Sequence, residues 1–142
     1  DWKIIECLKE NSRQSSYLIS KKTAIPLTTV HNRIKKLERE GIIKNYTVIL
    51  DDKLLGKQLT AYIFIRYNIT VWGKETTREQ LKKQLLALPN VDEIKYLIGR
   101  FDILLKANLK DMDELNSIML QRLRKIPGVG QTETFFVLED LK

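Results

Sequence analysis

Two short elements of the same form, Leu88-Pro89-Asn90-Val91 and Ile126-Pro127-Gly128-Val129, stand 38 residues apart. Each closes a stretch with apolar residues at helical spacing and opens a stretch of strand character. Residues 60–69, TAYIFIRYNI, alternate as a strand does. Residues 76–88 carry Leu81, Leu85 and Leu88 on one helical face, and 92–98 read as a strand. The pattern then recurs, with a strand over 102–109, a helix over 111–125 carrying Met112, Leu115, Ile118, Met119 and Leu123, and a strand over 132–138. Two strand–helix–strand units in tandem predict a βαββαβ ferredoxin-like sandwich with both helices on one face of the sheet. The other face is expected to hold Tyr62, Phe64, Leu97, Leu104, Phe136 and Leu138. So many apolar side chains are not comfortably solvated, and an apolar sheet face of this size marks an association surface. It predicts a homodimer formed by sheet-to-sheet packing.

The first fifty residues follow a different rhythm. Ile4, Ile5 and Leu8 make a short helical stripe, followed by a polar turn at 11–15 with N-cap candidates. Tyr17, Leu18 and Ile19 open a second short helix that ends near Thr23. Ile25-Pro26 makes a tight turn, because the residue before proline avoids the helical region. Val30, Ile34 and Leu37 then recur at i, i+4 and i+7, and between them lie His31, Asn32, Arg33, Lys35, Lys36 and Arg39. Gly41 is expected to stop this helix, with Ile42-Ile43 and 45–50 continuing as strand. Three short helices and a strand fit a winged helix-turn-helix whose third helix is the reader. The fold class is therefore α+β: a winged helix-turn-helix over 1–50, a linker over 51–58 that opens Asp51-Asp52, and a ferredoxin-like domain over 59–142.

A narrow apolar seam under a basic, hydrogen-bonding outer face is what a major-groove helix needs. The seam anchors the helix, while the outer face neutralises phosphates and reads base edges. Charge sorts the same way. Residues 1–50 hold 10 basic and 5 acidic side chains, whereas 51–142 hold 15 and 13, so most of the +7 net charge sits with the reader. That is the footprint of a polyanion such as double-stranded DNA. Membrane binding is the competing reading of a basic segment, and the stripe is too narrow for it.

With 43% hydrophobic residues the chain can build one or two small cores, and no apolar run approaches a membrane span. No signal-peptide pattern is visible, so a cytoplasmic protein is expected. The chain opens on Asp1 rather than methionine, and a few preceding residues are expected. A single cysteine, Cys7, excludes an intrachain disulfide and a cysteine-based zinc site. The one histidine, His31, is explained by the reader helix. There is no Ser/His/Asp arrangement, phosphate loop or metal-ligand cluster, so no catalytic residue, metal or cofactor is expected.

The chain resembles transcription regulators of the Lrp/AsnC (feast/famine) family over essentially its whole length. The resemblance rests on Thr29-Val30-His31-Asn32-Arg33-Ile34-Lys35-Lys36-Leu37-Glu38, on Gly41-Ile42-Ile43-Lys44-Asn45-Tyr46, and on Gly99-Arg100-Phe101-Asp102, which matches the family's Gly-x-x-Asp. Pro127-Gly128-Val129 and Thr132-x-Thr134 complete it. Two positions depart from the pattern: Pro26 stands where a capping serine is usual, and the bulky cation Arg100 lies inside the effector loop. The resemblance implies a dimeric regulator, often assembled into tetramers or octamers, that responds to an amino acid or similar small metabolite. It implies effector binding near Gly99, Arg100, Phe101 and Asp102, with Thr134 on the last strand of that region. Gly99 would allow close backbone approach, and Asp102 would meet an α-ammonium group or orient the loop. Leu27, Thr28, Thr29, His31 and Asn32 are the base-reading candidates. Arg33, Lys35, Lys36 and Arg39 are expected to hold phosphates, with a structural role as the alternative for Arg33. Two rival functions share this plan. A sirohaem decarboxylase-like enzyme would need cavity-facing histidines, which the C-terminal part lacks. A metabolite sensor acting through protein contacts would not need residues 26–39.

Overall fold

Three short helices build the first part of the chain in the computed structural model, which describes residues 1–71 and 74–141. They are α1 (Trp2–Glu10), α2 (Ser16–Thr23) and α3 (Leu27–Arg39). Each gives one fully buried side chain, Ile4, Ile19 and Val30, to a shared core that Cys7, Leu8, Ile25 and Ile34 extend. The Ser15 side chain caps α2 by accepting from the Leu18 N–H. Ala24 turns the chain out of α2 at φ 57, in the left-handed region, while Ser20 Oγ donates to the Ile25 carbonyl at 2.6 Å. α3 starts directly after Pro26, which offers no side-chain acceptor. Its end is a Schellman motif around Gly41 at φ 70: the Ile42 N–H reaches Leu37 O at 2.9 Å, and the Gly41 N–H reaches Glu38 O at 3.0 Å.

The strand expected over 42–50 does not form. Residues 44–50 have no ladder partner among the described residues, and Tyr46, Val48, Ile49 and Leu50 are exposed. β-branched side chains favour extended backbone, but a strand also needs a neighbour for its N–H and C=O groups. Tyr46 is held to α3 by its hydroxyl, which donates to Glu38 Oε1 at 2.8 Å. Desolvation, and then the hydrogen bond to Glu38 and its charge, hold the Tyr46 phenol above its ordinary pKa.

Residues Asp1–Ile49 and Leu50–Lys142 form separate units. The second contains a four-stranded antiparallel sheet ordered β4-β5-β1-β6, from β1 (Leu59–Tyr67), β4 (Val91–Tyr96), β5 (Ile103–Leu109) and β6 (Val129–Phe136). A two-residue ribbon, β2 (Thr70–Val71) with β3 (Lys74–Glu75), is inserted after β1. Helix α4 (Arg78–Leu86) follows, started by a capping box between Thr77 and Gln80. α5 (Met112–Glu114) runs through a π-helical stretch at Leu115–Leu120 into α6 (Gln121–Leu123). The four main strands and two helical stretches give βαββαβ. Ala61, Ile63, Ile65, Ile103, Leu105 and Ala107 share the core with Leu81, Leu85, Leu115 and Leu123, so both helical stretches cover one sheet face. No described helix is long and apolar enough to cross a membrane.

Two expectations about the other face change. Phe136 pairs with Ala61 and therefore lies on the helix-covered side, whereas Phe135 pairs with Tyr62 on the second face. A register shift of one residue exchanges the faces. Leu97 and Leu138 fall outside the strands. Residues 51–57, expected within a linker, form a fastened turn. The Lys57 N–H meets Asp52 O at 2.8 Å, and Asp52 Oδ2 accepts from Asn108 Nδ2 on β5 at 2.7 Å. Asn108 is 3% exposed and fully partnered, because it also donates to Asp92 Oδ2 at 2.5 Å and accepts from Thr60 Oγ1 at 2.7 Å.

Candidate nucleic-acid interface and effector region

Helix α3 buries one side and presents the other. Val30 is 0% and Leu37 2% exposed, and Ile34 packs beside them. Leu27, Thr28, His31, Asn32, Lys35, Lys36 and Arg39 are exposed, while Thr29 is half-buried. Because Pro26 lacks a side-chain acceptor, no cap bonds the first-turn N–H groups of α3. These donors lie at the end where the helix dipole favours negative charge, and Thr28 and Thr29 belong to the same first turn.

The four basic candidates divide. Arg33 is half-buried and turns toward α1, with Nε 3.7 Å from Asp1 Oδ1. The structural alternative for Arg33 thus has a partner in hand. Lys36 lies 3.8 Å from Glu40 in an exposed i,i+4 pair, an interaction weak enough to yield to a phosphate. One feature the sequence reasoning missed is on α2. Lys21 Nζ sits 4.8 Å from the centre of the exposed Tyr17 ring. Their i,i+4 spacing on a helix was the available signal.

The Gly99–Asp102 loop joins β4 to β5. Gly99 has φ 158 and Arg100 is exposed, its guanidinium 5.5 Å from the Phe101 ring centre. Phe101 is 8% exposed and its ring centre lies 5.6 Å from that of Phe64, so it belongs to the second sheet face. Asp102 is tied into the sheet. Its N–H donates to Ile65 O at 2.9 Å, and its Oδ2 accepts the Tyr67 N–H at 2.7 Å. Among the described residues no other donor reaches that carboxylate. Thr134 is not beside this loop. It pairs with Ile63, on the side of the sheet the helices cover. The structure therefore gathers 99–102 with Phe64 and Tyr67 and leaves Thr134 out. Among the described residues, no group of three or more His, Cys, Asp or Glu side chains could hold a metal ion.

A helix-turn-helix unit with an exposed basic reader, followed by a ferredoxin-like domain, defines a DNA-binding protein with a separate second module. Comparison with known proteins agrees for both parts. Residues 1–44 match the winged helix-turn-helix DNA-binding family, and residues 60–142 match the Lrp/AsnC ligand binding domain. An uncharacterised HTH-type transcriptional regulator of Pyrococcus abyssi is 39% identical over all 142 residues, which cover 93% of it. The leucine-responsive regulatory protein of Haemophilus influenzae is 33% identical over the same 142 residues, covering 84% of its length. Among solved structures, a transcriptional regulator from Neisseria meningitidis in complex with L-Met superposes with a TM-score of 0.88 at 28% identity, over 99% of this chain and 88% of that one. The chain belongs to the Lrp/AsnC family and is a DNA-binding transcription regulator.

Proposed function

We propose that the protein works in the cytoplasm as a homodimer, or an assembly of dimers, that reads a pseudo-palindromic site with two α3 helices in successive major grooves and responds to an amino acid. The observation that carries the reading is the outer face of α3, where five exposed base-reading or phosphate-holding side chains, His31, Asn32, Lys35, Lys36 and Arg39, stand over a buried seam. Leu27, Thr28, Thr29, His31 and Asn32 read base edges, since the first turns of a reader helix enter deepest. Lys35, Lys36 and Arg39 hold phosphates, and Arg33 positions the helix against α1. The effector binds at 99–102, with Asp102 Oδ1 meeting the α-ammonium group. The L-Met complex of the Neisseria meningitidis relative supports an amino acid as the ligand class. We read the protein as non-catalytic. Its one histidine lies on α3, which leaves a tetrapyrrole decarboxylase without the imidazoles it would need.

The test is duplex binding across a salt series, with the site found by unbiased selection. A dimer neutralising about six phosphates should lose affinity with a slope of log K against log salt near −5. Affinity that stays flat between low and moderate salt refutes the electrostatic reading. Titration with the common amino acids, followed by calorimetry, tests the effector. Absence of any binding refutes that part alone.

A further inference from the structure

We infer that the hydrogen bond from Asn108 to Asp52 sets which half-site spacing the protein accepts on DNA, because it fixes the length of loose chain between the reader unit and the second unit. This rests on the two-reader assembly proposed above, and it adds a determinant of specificity that lies outside α3.

Little of the connecting chain is unheld. On the reader side the Ile43 N–H reaches Leu37 O at 3.1 Å, and the Tyr46 hydroxyl reaches Glu38. On the other side Asp51 Oδ1 accepts the Leu54 N–H at 3.2 Å, and Asp52 O accepts the Lys57 N–H at 2.8 Å. Gln58 Nε2 donates to Lys53 O at 3.1 Å, and β1 begins at Leu59. Between Tyr46 and Asp51 only residues 47–50 stand without a hydrogen bond among the described residues. The five steps from Tyr46 to Asp51 (51 minus 46) span at most about 18 Å.

The turn at 51–57 is rooted by polar contacts. Leu54 and Leu55 are both exposed, and none of its residues is buried. So short a turn does not hold its shape on its own bonds. Its side-chain tie to the sheet is Asp52 Oδ2, 2.7 Å from Asn108 Nδ2 on β5. The Asn108 amide has two protons and gives the other to Asp92 Oδ2 at 2.5 Å. Asp92 is the extra residue where the pairing of β4 with β5 shifts between Val91 and Glu93, and a bulge re-aims a side chain in this way. Asn108 Oδ1 is engaged by Thr60 Oγ1. One amide group thus holds two carboxylates that would otherwise repel each other.

Without this bond the loose chain runs from Tyr46 to Leu59. Those thirteen steps (59 minus 46) span at most about 47 Å, a gain of about 29 Å in each protomer. One added helical turn moves two half-sites about 34–36 Å further apart on the same side of the DNA. Two released tethers cover that distance easily. Two closed ones, each at most about 18 Å long, cover it only by stretching fully in opposite directions.

The test uses the full chain with three duplexes: the selected site, the same site with one helical turn added between half-sites, and a single half-site. The wild type should bind the added-turn duplex at least about ten-fold more weakly than the selected site, and Asp52→Ala should cut that penalty to about three-fold or less. Asp52→Ala should also bind the selected site about four-fold more weakly, because effective concentration falls roughly as the −3/2 power of tether length. Asn108→Leu should behave alike. Asp52→Asn keeps an acceptor for the Asn108 N–H and should behave as the wild type. Limited trypsin digestion reads the turn directly, since cleavage after Lys53 and Lys57 should be faster in Asp52→Ala than in the wild type or Asp52→Asn. An Asp52→Ala chain cut at the wild-type rate overturns the tie. One cut faster that keeps the wild-type spacing preference overturns its link to specificity, and so does a wild type that accepts the added turn without loss. A wild type that holds a single half-site as tightly as the selected site overturns the two-reader assembly itself, which separates the two failures.

Discussion

Replacing Asp102 separates its two roles. In the folded chain its Oδ2 accepts the Tyr67 N–H at 2.7 Å, at the point where pairing between β1 and β6 shifts register between Ile65 and Tyr67. A hydrogen bond to a charged acceptor contributes about 1.5–3 kcal/mol, and Asp102→Ala also leaves the Tyr67 N–H without that partner. Asp102 is half-buried, so the lower part of that range applies. For a unit the size of Leu50–Lys142, about 1.5 kcal/mol corresponds to a fall in Tm of roughly 6–12 °C. Asp102→Asn keeps an acceptor for the Tyr67 N–H and loses only the charge, at a cost of about 1 kcal/mol or less. Its neutral amide, however, forms no ion pair with an α-ammonium group. Calorimetric melting and amino-acid titration of both variants therefore give a pattern: Asp102→Ala loses stability and binding, and Asp102→Asn loses binding with most of the stability kept. An Asp102→Ala protein that melts with the wild type refutes the tie to Tyr67. An Asp102→Asn protein that binds the effector as the wild type does refutes the ammonium contact.

Three further outcomes are expected. Ala24→Gly relieves the left-handed backbone at an exposed site and should stabilise the first unit by about 0.5–1 kcal/mol in urea unfolding; a destabilised variant would show that Ala24 carries no strain. The raised pKa of Tyr46 means that the folded state holds the phenol proton more tightly than the unfolded chain does, so its contribution is present below the unfolded phenol pKa and is lost as pH rises through the folded one. Wild-type protein should therefore lose stability above about pH 10 more steeply than Tyr46→Phe, and equal alkaline slopes would remove the Glu38 contact from the account. Asn32→Ala should cost roughly 1–3 kcal/mol on the selected site and little on random DNA, whereas Lys36→Ala should weaken both and lower the salt slope by about one unit for each phosphate no longer neutralised. Equal weakening of both DNAs by Asn32→Ala would transfer base reading to Leu27, Thr28, Thr29 or His31.

Local periodicity carried the parts of this fold that depend on local chemistry. Val30, Ile34 and Leu37 predict the seam of α3 because a helix places i, i+4 and i+7 on one side whatever surrounds it. Gly41 predicts the helix end because the Schellman turn needs positive φ there. The proline-bearing repeat predicts βαββαβ because each unit must bury the same kind of helix face. What failed depends on partners distant in sequence. Residues 44–50 have strand composition, yet composition supplies no neighbouring strand. The turn at 51–57 looked like a linker because Asp51 and Asp52 look solvated. Nothing nearby announces that Asn108, 56 residues on, accepts Asp52 into a buried polar cluster. The effector assignment divided along the same line. Gly99 and Asp102 lie within one loop, so a four-residue motif kept them together, while Thr134 was attached from a different strand and faces the other way.

The adjacent phenylalanines of β6 show why a face is harder to read than an element. Phe135 and Phe136 are chemically identical, and a strand assigned over 132–138 accommodates either one as the outward residue. The choice is made by register, and register is set by the pairing of Ala61 with Phe136 and Tyr62 with Phe135. With Phe135 outward, the second face gains a ring in edge contact with Phe64 and a row that ends in Glu133. With Phe136 outward, Glu133 would turn to the helices and its carboxylate would enter the apolar core. A charge buried there without a partner costs far more than a half-exposed phenylalanine at a sheet edge. The anion at the edge of β6 thus helps fix the register of the strand.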